Sequence, residues 1–288
     1  MKSNVLKCAL MLSCGLVAVA ANAAPARKQP ELKRFADADH VIYMPTRGGV
    51  IPVKAGSNIV DHGGPKITSA KVVFIFWGPN FSNAASPDFA YAQQIQLFRD
   101  QFGTTGEYNT ITQYSGIALA NLGSGTADVF DSSTPPTNVT DAAVQAKVAS
   151  YLSTHAFNGS TIYEVVLPSS SYSSSGSSTS CGGPSLSYCA YHGHFTNGGN
   201  DVKYSIEPYP SCSGCKVAGW TDAQNQEHFV CHETREAVTD PDLNAWYDRR
   251  GQEADDKCAW SPSPFIGTGG FGYQYEWSNL TGSCIKTR

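Results

Sequence analysis

Three rhythms of apolar and polar residues run along this chain. Lys71-Val72-Val73-Phe74-Ile75-Phe76-Trp77 is an apolar run, β-branched and aromatic, closed by Gly78-Pro79. So short a run between breakers predicts a buried central strand. Pro87 and Asp88 then open residues 89–102, in which Phe89, Ala92, Ile95 and Phe98 or Phe102 recur at helical spacing until Gly103 stops them. Residues 141–155 repeat the design, with Thr140 or Asp141 as cap and Val144, Val148, Tyr151 and Leu152 on the apolar face. Strands are expected over 161–167, 188–195 and 202–208, and short edge strands at Val50-Ile51-Pro52-Val53 and Ile59-Val60. Residues 169–180 are serine-rich low-complexity sequence, the pattern of a flexible surface loop. Together these elements predict an α+β fold, a mixed β-sheet with helices.

The most informative helix lies late in the chain. Thr221-x-x-Gln224 is a capping-box pattern and Pro241 a stop, so residues 222–238 read as one helix. It carries His232-Glu233-Thr234-Arg235-Glu236, an HExxE motif. Residues four apart project from one helix face about a turn apart. An imidazole nitrogen of His232 and a carboxylate oxygen of Glu236 can therefore reach one ion. Glu233, about 100° round the helix, can face the open side of that ion as a general base. A catalytic zinc takes three protein ligands and keeps one position open. Gly251-Gln252-Glu253-Ala254-Asp255-Asp256 offers the third, with Glu253 as first choice and Asp256 as second. The bland alternative is a solvated helix face laced by i,i+4 pairs.

Composition sets the compartment. Lys2 and Lys7, an apolar stretch from Ala9 to Ala20 and Ala21-Asn22-Ala23 have the layout of a bacterial-style secretory signal over residues 1–24. Residues 25–58 read as a polar N-terminal segment of the kind that serves as a pro-region, and residues 59–288 as the folded domain. No later stretch is apolar for long enough to span a bilayer. The net charge of −4, without a basic cluster beyond residues 28–34, argues against nucleic acid. The expectation is a protein secreted to the periplasm or the extracellular space, acting on a protein, peptide or cell-wall substrate. Export makes disulfides the default for Cys181, Cys189, Cys212, Cys215, Cys231, Cys258 and Cys284. The expected pairing is Cys181–Cys189, Cys212–Cys215 and Cys258–Cys284, with Cys231 buried beside the HExxE helix, although sequence alone leaves other connectivities open. No second C-x-x-C accompanies Cys212-Ser-Gly-Cys215, which disfavours a Cys₄ zinc site.

Taken together, His232-Glu233-x-x-Glu236-Ala237-x-Thr239-Asp240-Pro241, Asn244-Ala245-Trp246-Tyr247 and Glu253-Ala254-x-Asp256-x-Cys258 resemble the Exordium / phosphate-induced protein family. His62-Gly63-Gly64-Pro65, Phe76-Trp77-Gly78, Cys189-x-x-His192 and Ile266-Gly267-Thr268-Gly269-Gly270 extend the resemblance over most of the chain from about residue 60. The paired tryptophans of plant members are missing near Gln113-Tyr114, and the serine-rich stretch and Cys181 look local to this chain. The resemblance implies an exported protein tied, in plants, to cell expansion and the wall, with an ill-defined biochemical activity. The expectation carried forward is a zincin-like domain with one zinc ion. His232, Glu236 and Glu253 would be its ligands, Asp256 a fourth or supporting group, and Glu233 the general base of a metallopeptidase-like hydrolase. The rival is a non-catalytic binding or signalling protein with a structural ion or none.

Other constellations read as structure. Asp240-x-Asp242-x-Asn244 lacks the glycine and the twelfth-position glutamate of an EF-hand loop. The glycines from Gly267 to Gly272 precede an alternating Tyr273, Tyr275, Trp277 pattern, which suits a strand and not a nucleotide loop. His192 and His194 alternate on an expected strand; cleft-lining contacts and ordinary packing both fit, and packing is the simpler role. The same holds for His62, and for Trp246 and Tyr247 as a lid over the helix end.

Overall fold

A seven-stranded mixed sheet organises the protein, as seen in a computed structural model that describes residues 36–37, 41–49 and 57–288. The strands are β1 (Ala36–Asp37), β2 (Val41–Pro45), β3 (Lys71–Trp77), β4 (Val129–Asp131), β5 (Thr161–Val166), β6 (Tyr188–Asn197) and β7 (Asn200–Glu207), in the spatial order β1-β2-β6-β7-β5-β3-β4. The pairs β1/β2, β2/β6 and β6/β7 are antiparallel; β7/β5, β5/β3 and β3/β4 are parallel.

The apolar run of β3 is continuous because both faces of the sheet are covered. Val72, Phe74 and Phe76 pack into one core with helices α1 (Pro87–Phe102) and α3 (Asp222–Thr239). Val73, Ile75 and Trp77 pack into a second core with α2 (Asp141–Leu152) on the opposite face. Side chains of successive strand residues point to opposite faces, so one strand feeds two cores. The helix ends follow the sequence closely. The Ser86 hydroxyl accepts from Asp88 N–H at the start of α1, Gly103 caps its end, and the Thr140 hydroxyl accepts from Ala143 N–H at the start of α2.

Four expectations change. Val41–Pro45, assigned by its setting to the polar N-terminal segment, is a strand with Val41, Ile42 and Met44 buried. The folded domain therefore begins before residue 59. The serine-rich stretch is ordered: Tyr172–Ser175 and Ser178–Thr179 form a ribbon beside Asn138–Thr140. Ser173 and Ser180 are buried there, with Ser180 Oγ accepting from Ser173 N–H at 2.9 Å and Ser173 Oγ sharing a hydrogen bond with Tyr188 Oη at 2.9 Å. Buried hydroxyls that find partners in the backbone and in one another make a core that composition does not reveal. The disulfides are Cys181–Cys212, Cys189–Cys215 and Cys258–Cys284. Only the last follows expectation. Cys212 and Cys215, at the two ends of the short helical turn Ser213–Cys215, meet different partners, one in the loop at Cys181 and one on β6. Finally, the Tyr273–Trp277 pattern is two short strands, Gly272–Tyr273 and Glu276–Ser278, broken at Gln274. Cys231 is free and buried, and burial pushes its thiol up to about 12.

The signal-type residues 1–24, most of the 25–58 segment and the expected strand at Val50–Val53 lie outside the described residues. Among the described residues no helix is long and apolar enough to cross a membrane.

Candidate metal centre

Helix α3 is the element on which the candidate chemistry rests. Its capping box is complete: the Thr221 hydroxyl accepts from Gln224 N–H, and the Gln224 side chain accepts from Thr221 N–H. From Asn225 to Thr239 every residue is buried, the charged ones included. The alternative of a solvated charged face is therefore excluded. The sheet beneath explains why. Glu164 on β5, His192 on β6, and Ser205 and Glu207 on β7 are buried polar residues at strand positions facing α3. Thr234 donates to Glu164 Oε1 at 2.8 Å, and Gln226 Nε2 donates to Glu207 Oε2 at 2.9 Å.

The predicted ligand atoms converge. His232 Nε2 lies 3.2 Å from Glu236 Oε2 and 3.8 Å from Asp256 Oδ1. A residue not foreseen as a ligand completes the cluster: His192 Nε2 lies 3.5 Å from Glu236 Oε2 and 3.7 Å from Glu253 Oε2. Tetrahedral ligation at ~2.0–2.2 Å places neighbouring donor atoms about 3.3–3.6 Å apart. The ligand atoms of His192, Glu236 and Glu253 all fall within 4.8 Å of one another, as do those of His232, Glu233 and Glu236. The signals for His192 were its alternation with His194 on an expected strand and the Cys189-x-x-His192 spacing.

Backbone groups lock the loop that carries Glu253 and Asp256 onto the helix. Asp256 N–H donates to Glu236 Oε1 at 3.0 Å, and Glu253 N–H donates to Asp256 Oδ2 at 3.3 Å. Asp256 thus orients Glu236 through its backbone, while its Oδ2 accepts from Glu253 and its Oδ1 stays 3.8 Å from His232 Nε2. Behind it, Arg235 donates to both carboxylate oxygens of Asp255 and forms an ion pair with Glu276 at 3.2 Å. Gln274 joins the two sides: its Oε1 lies 3.2 Å from His232 Nδ1, and its Nε2 donates to the Asp255 carbonyl at 3.0 Å.

Glu233 stands apart. It is fully buried, and neither carboxylate oxygen has a hydrogen-bond partner among the described residues. Burial, and then the Glu236 charge, push its carboxyl well above the usual range. Burial also works against ionised Glu236, but the imidazoles of His232 and His192 outweigh it and hold that carboxyl at about 2. Burial works to lower His232, yet Glu236 and then Asp255 and Asp256 lift it to about 9. Among the described residues no lysine or arginine forms an ion pair with Glu233, Glu236 or Asp256. The balance of buried charge is negative, and a small divalent cation fits it.

The outer motif residues frame this cluster without entering it. His62 stacks on Tyr247, with ring centroids 3.7 Å apart. Gly64 lies so close to Asn244 that a Cβ would sit 1.8 Å from its Oδ1. His194 pairs with exposed Asp201 at 2.9 Å, in a separate group with Asp242. No protein-family model, curated protein or solved structure matches the chain.

Proposed function

We propose that this chain is an exported, zincin-like metal-dependent hydrolase of the metallopeptidase type, with one zinc ion and peptide bonds as substrate. The observation that carries this reading is Glu233: a buried, partnerless carboxylate adjoining a cluster of two imidazoles and further carboxylates. His232, Glu236 and Glu253 would hold the ion, and His192 joins them as a donor in place of Asp256. When bound, zinc would polarise a substrate carbonyl and lower the pKa of a coordinated water. The charge of the ion would offset that of Glu236 and favour ionised Glu233, which would then act as the base that takes a proton and returns it to the leaving amine. Two carboxylate donors leave the ion a weaker Lewis acid than three histidines would, so slow or specialised turnover is expected. The resemblance to the Exordium family agrees with an exported protein and supplies no substrate.

The test is Glu233→Gln. With zinc retained, the variant should lose at least about 100-fold in peptide turnover, the lower range for a general base. Turnover equal to that of the unaltered chain would refute the assigned role.

A second reading has its own support. His192, His232, Glu236 and Glu253 make four donors, the number of a closed structural site, and all four are fully buried. In that case the ion clamps α3 to β6 and the Glu253 loop. Chelation would then lower the melting temperature of a protein that never turns over any peptide. The catalytic reading instead has activity that chelation abolishes.

A further inference from the structure

We infer that Gln274 is a positioning residue that accepts from Nε2–H of His228 and Nδ1–H of His232 and thereby presents Nε2 of His232 to the ion. The inference rests on the metal reading above for its consequence, but not for its geometry. The Gln274 amide sits where the strands Gly272–Tyr273 and Glu276–Ser278 break, fully buried against α3. Its Nε2 faces two acceptors, the Asp255 carbonyl at 3.0 Å and Asp255 Oδ1 at 2.6 Å. Neither can donate. Exchanging the amide nitrogen and oxygen would set oxygen against oxygen at both contacts, so the orientation is determined by its partners.

The amide oxygen is therefore the atom that meets the helix. It lies 3.2 Å from Nδ1 of His232 and 3.0 Å from Nε2 of His228. An amide oxygen only accepts, so both ring nitrogens must carry hydrogen. His232 is held with Nδ1–H, which leaves Nε2 to face Glu236 Oε2. His228, one turn earlier, is held the other way, with Nε2–H, and its Nδ1 has no hydrogen-bond partner among the described residues. Two histidines at i and i+4 would otherwise offer an ion the same choice of nitrogens. One amide oxygen takes a hydrogen from Nε2 of His228 and from Nδ1 of His232, so the two rings turn different nitrogens away from it. Asp255 in turn is fixed by Arg235, so the orientation passes from Arg235 through Asp255 and Gln274 to His232. Such outer partners of a ligating imidazole typically change metal affinity by about 10–100-fold when removed.

Long-range proton–nitrogen NMR spectra of the full chain, together with zinc titration of Gln274→Met and Gln274→Glu, test this. In the zinc-free, unsubstituted protein His228 should carry its proton on Nε2, and His232 should show a slowly exchanging Nδ1–H. In Gln274→Met zinc affinity should drop about 10–100-fold. Gln274→Glu should restore it, because a protonated carboxyl can donate to Asp255 and accept from both rings. His228 protonated on Nδ1, or unchanged zinc affinity in a folded Gln274→Met protein, would overturn the inference. An unsubstituted protein that takes up no zinc would sink the metal reading instead, and the spectra would still decide the role of Gln274.

Discussion

Burying a carboxylate without a partner costs several kcal/mol, and the residues around Glu236 make sense only against that cost. Arg235 answers it for Asp255 and Glu276. Replacing it with methionine should destabilise the fold by about 3–5 kcal/mol, measured by denaturant unfolding, because two buried carboxylates would lose their counter-ion. His228 makes a prediction about pH. Burial, ahead of any charge, holds it at about 3 in the folded chain against its usual 6.5. Between those values the unfolded chain binds the extra proton, so the contribution is intact above pH ~6.5 and is lost as pH falls toward 3. The slope should approach about 1.4 kcal/mol per pH unit. It should be absent from His228→Gln, which keeps a donor for Gln274 but does not titrate; parallel pH profiles for the two proteins would contradict it. At this scale the sequence yielded His232, Glu233, Glu236 and Glu253 from motif spacing. It did not yield His192 or Gln274. His192 was weighed as a cleft-lining or packing residue and not as a ligand, Gln274 carried no signal, and tertiary packing alone shows that these polar side chains face a helix.

Local patterns were most legible where a whole element has one job. The periodic stretches of α1 and α2 and the capped stretch of α3 all carry their own start signals, and the structure keeps them within a few residues. The cap of α3 should matter: Thr221→Ala removes one half of the capping box and should cost about 1 kcal/mol in unfolding free energy. A change below about 0.3 kcal/mol would mean that tertiary packing alone sets the start of the helix. The serine-rich ribbon is the opposite case. Low complexity usually marks chain that cannot bury enough apolar surface. Here Ser180 accepts from the Ser173 backbone and the Ser173 hydroxyl pairs with Tyr188 instead. Strand β2 escaped for a related reason: Val41-Ile42-Tyr43-Met44 is short, and its polar, proline-rich setting outweighed it until its pairing with β6 became visible.

Across the molecule, the sheet and the disulfides hold together pieces that the candidate centre needs from distant parts of the chain. Cys189–Cys215 ties β6, which carries His192, to the turn that precedes α3, and Cys258–Cys284 anchors the loop that follows Asp256. Replacing Cys258 and Cys284 with serine should cost about 2–5 kcal/mol and should also weaken zinc binding, since the Glu253 loop loses its tether. The pairing itself was not legible, because separation along the chain says little about which thiols a β6 strand and a helical turn bring together. The fold class was legible; the closing of a polar sheet face over a polar helix was not, and that closure concentrates the negative charge. The most direct measurement is metal content by mass spectrometry of the purified protein beside a His232→Ala/Glu236→Ala variant. About one equivalent of zinc in the former, lost in the latter, is the predicted result. A folded protein that holds no metal, even after zinc is supplied, would contradict the account.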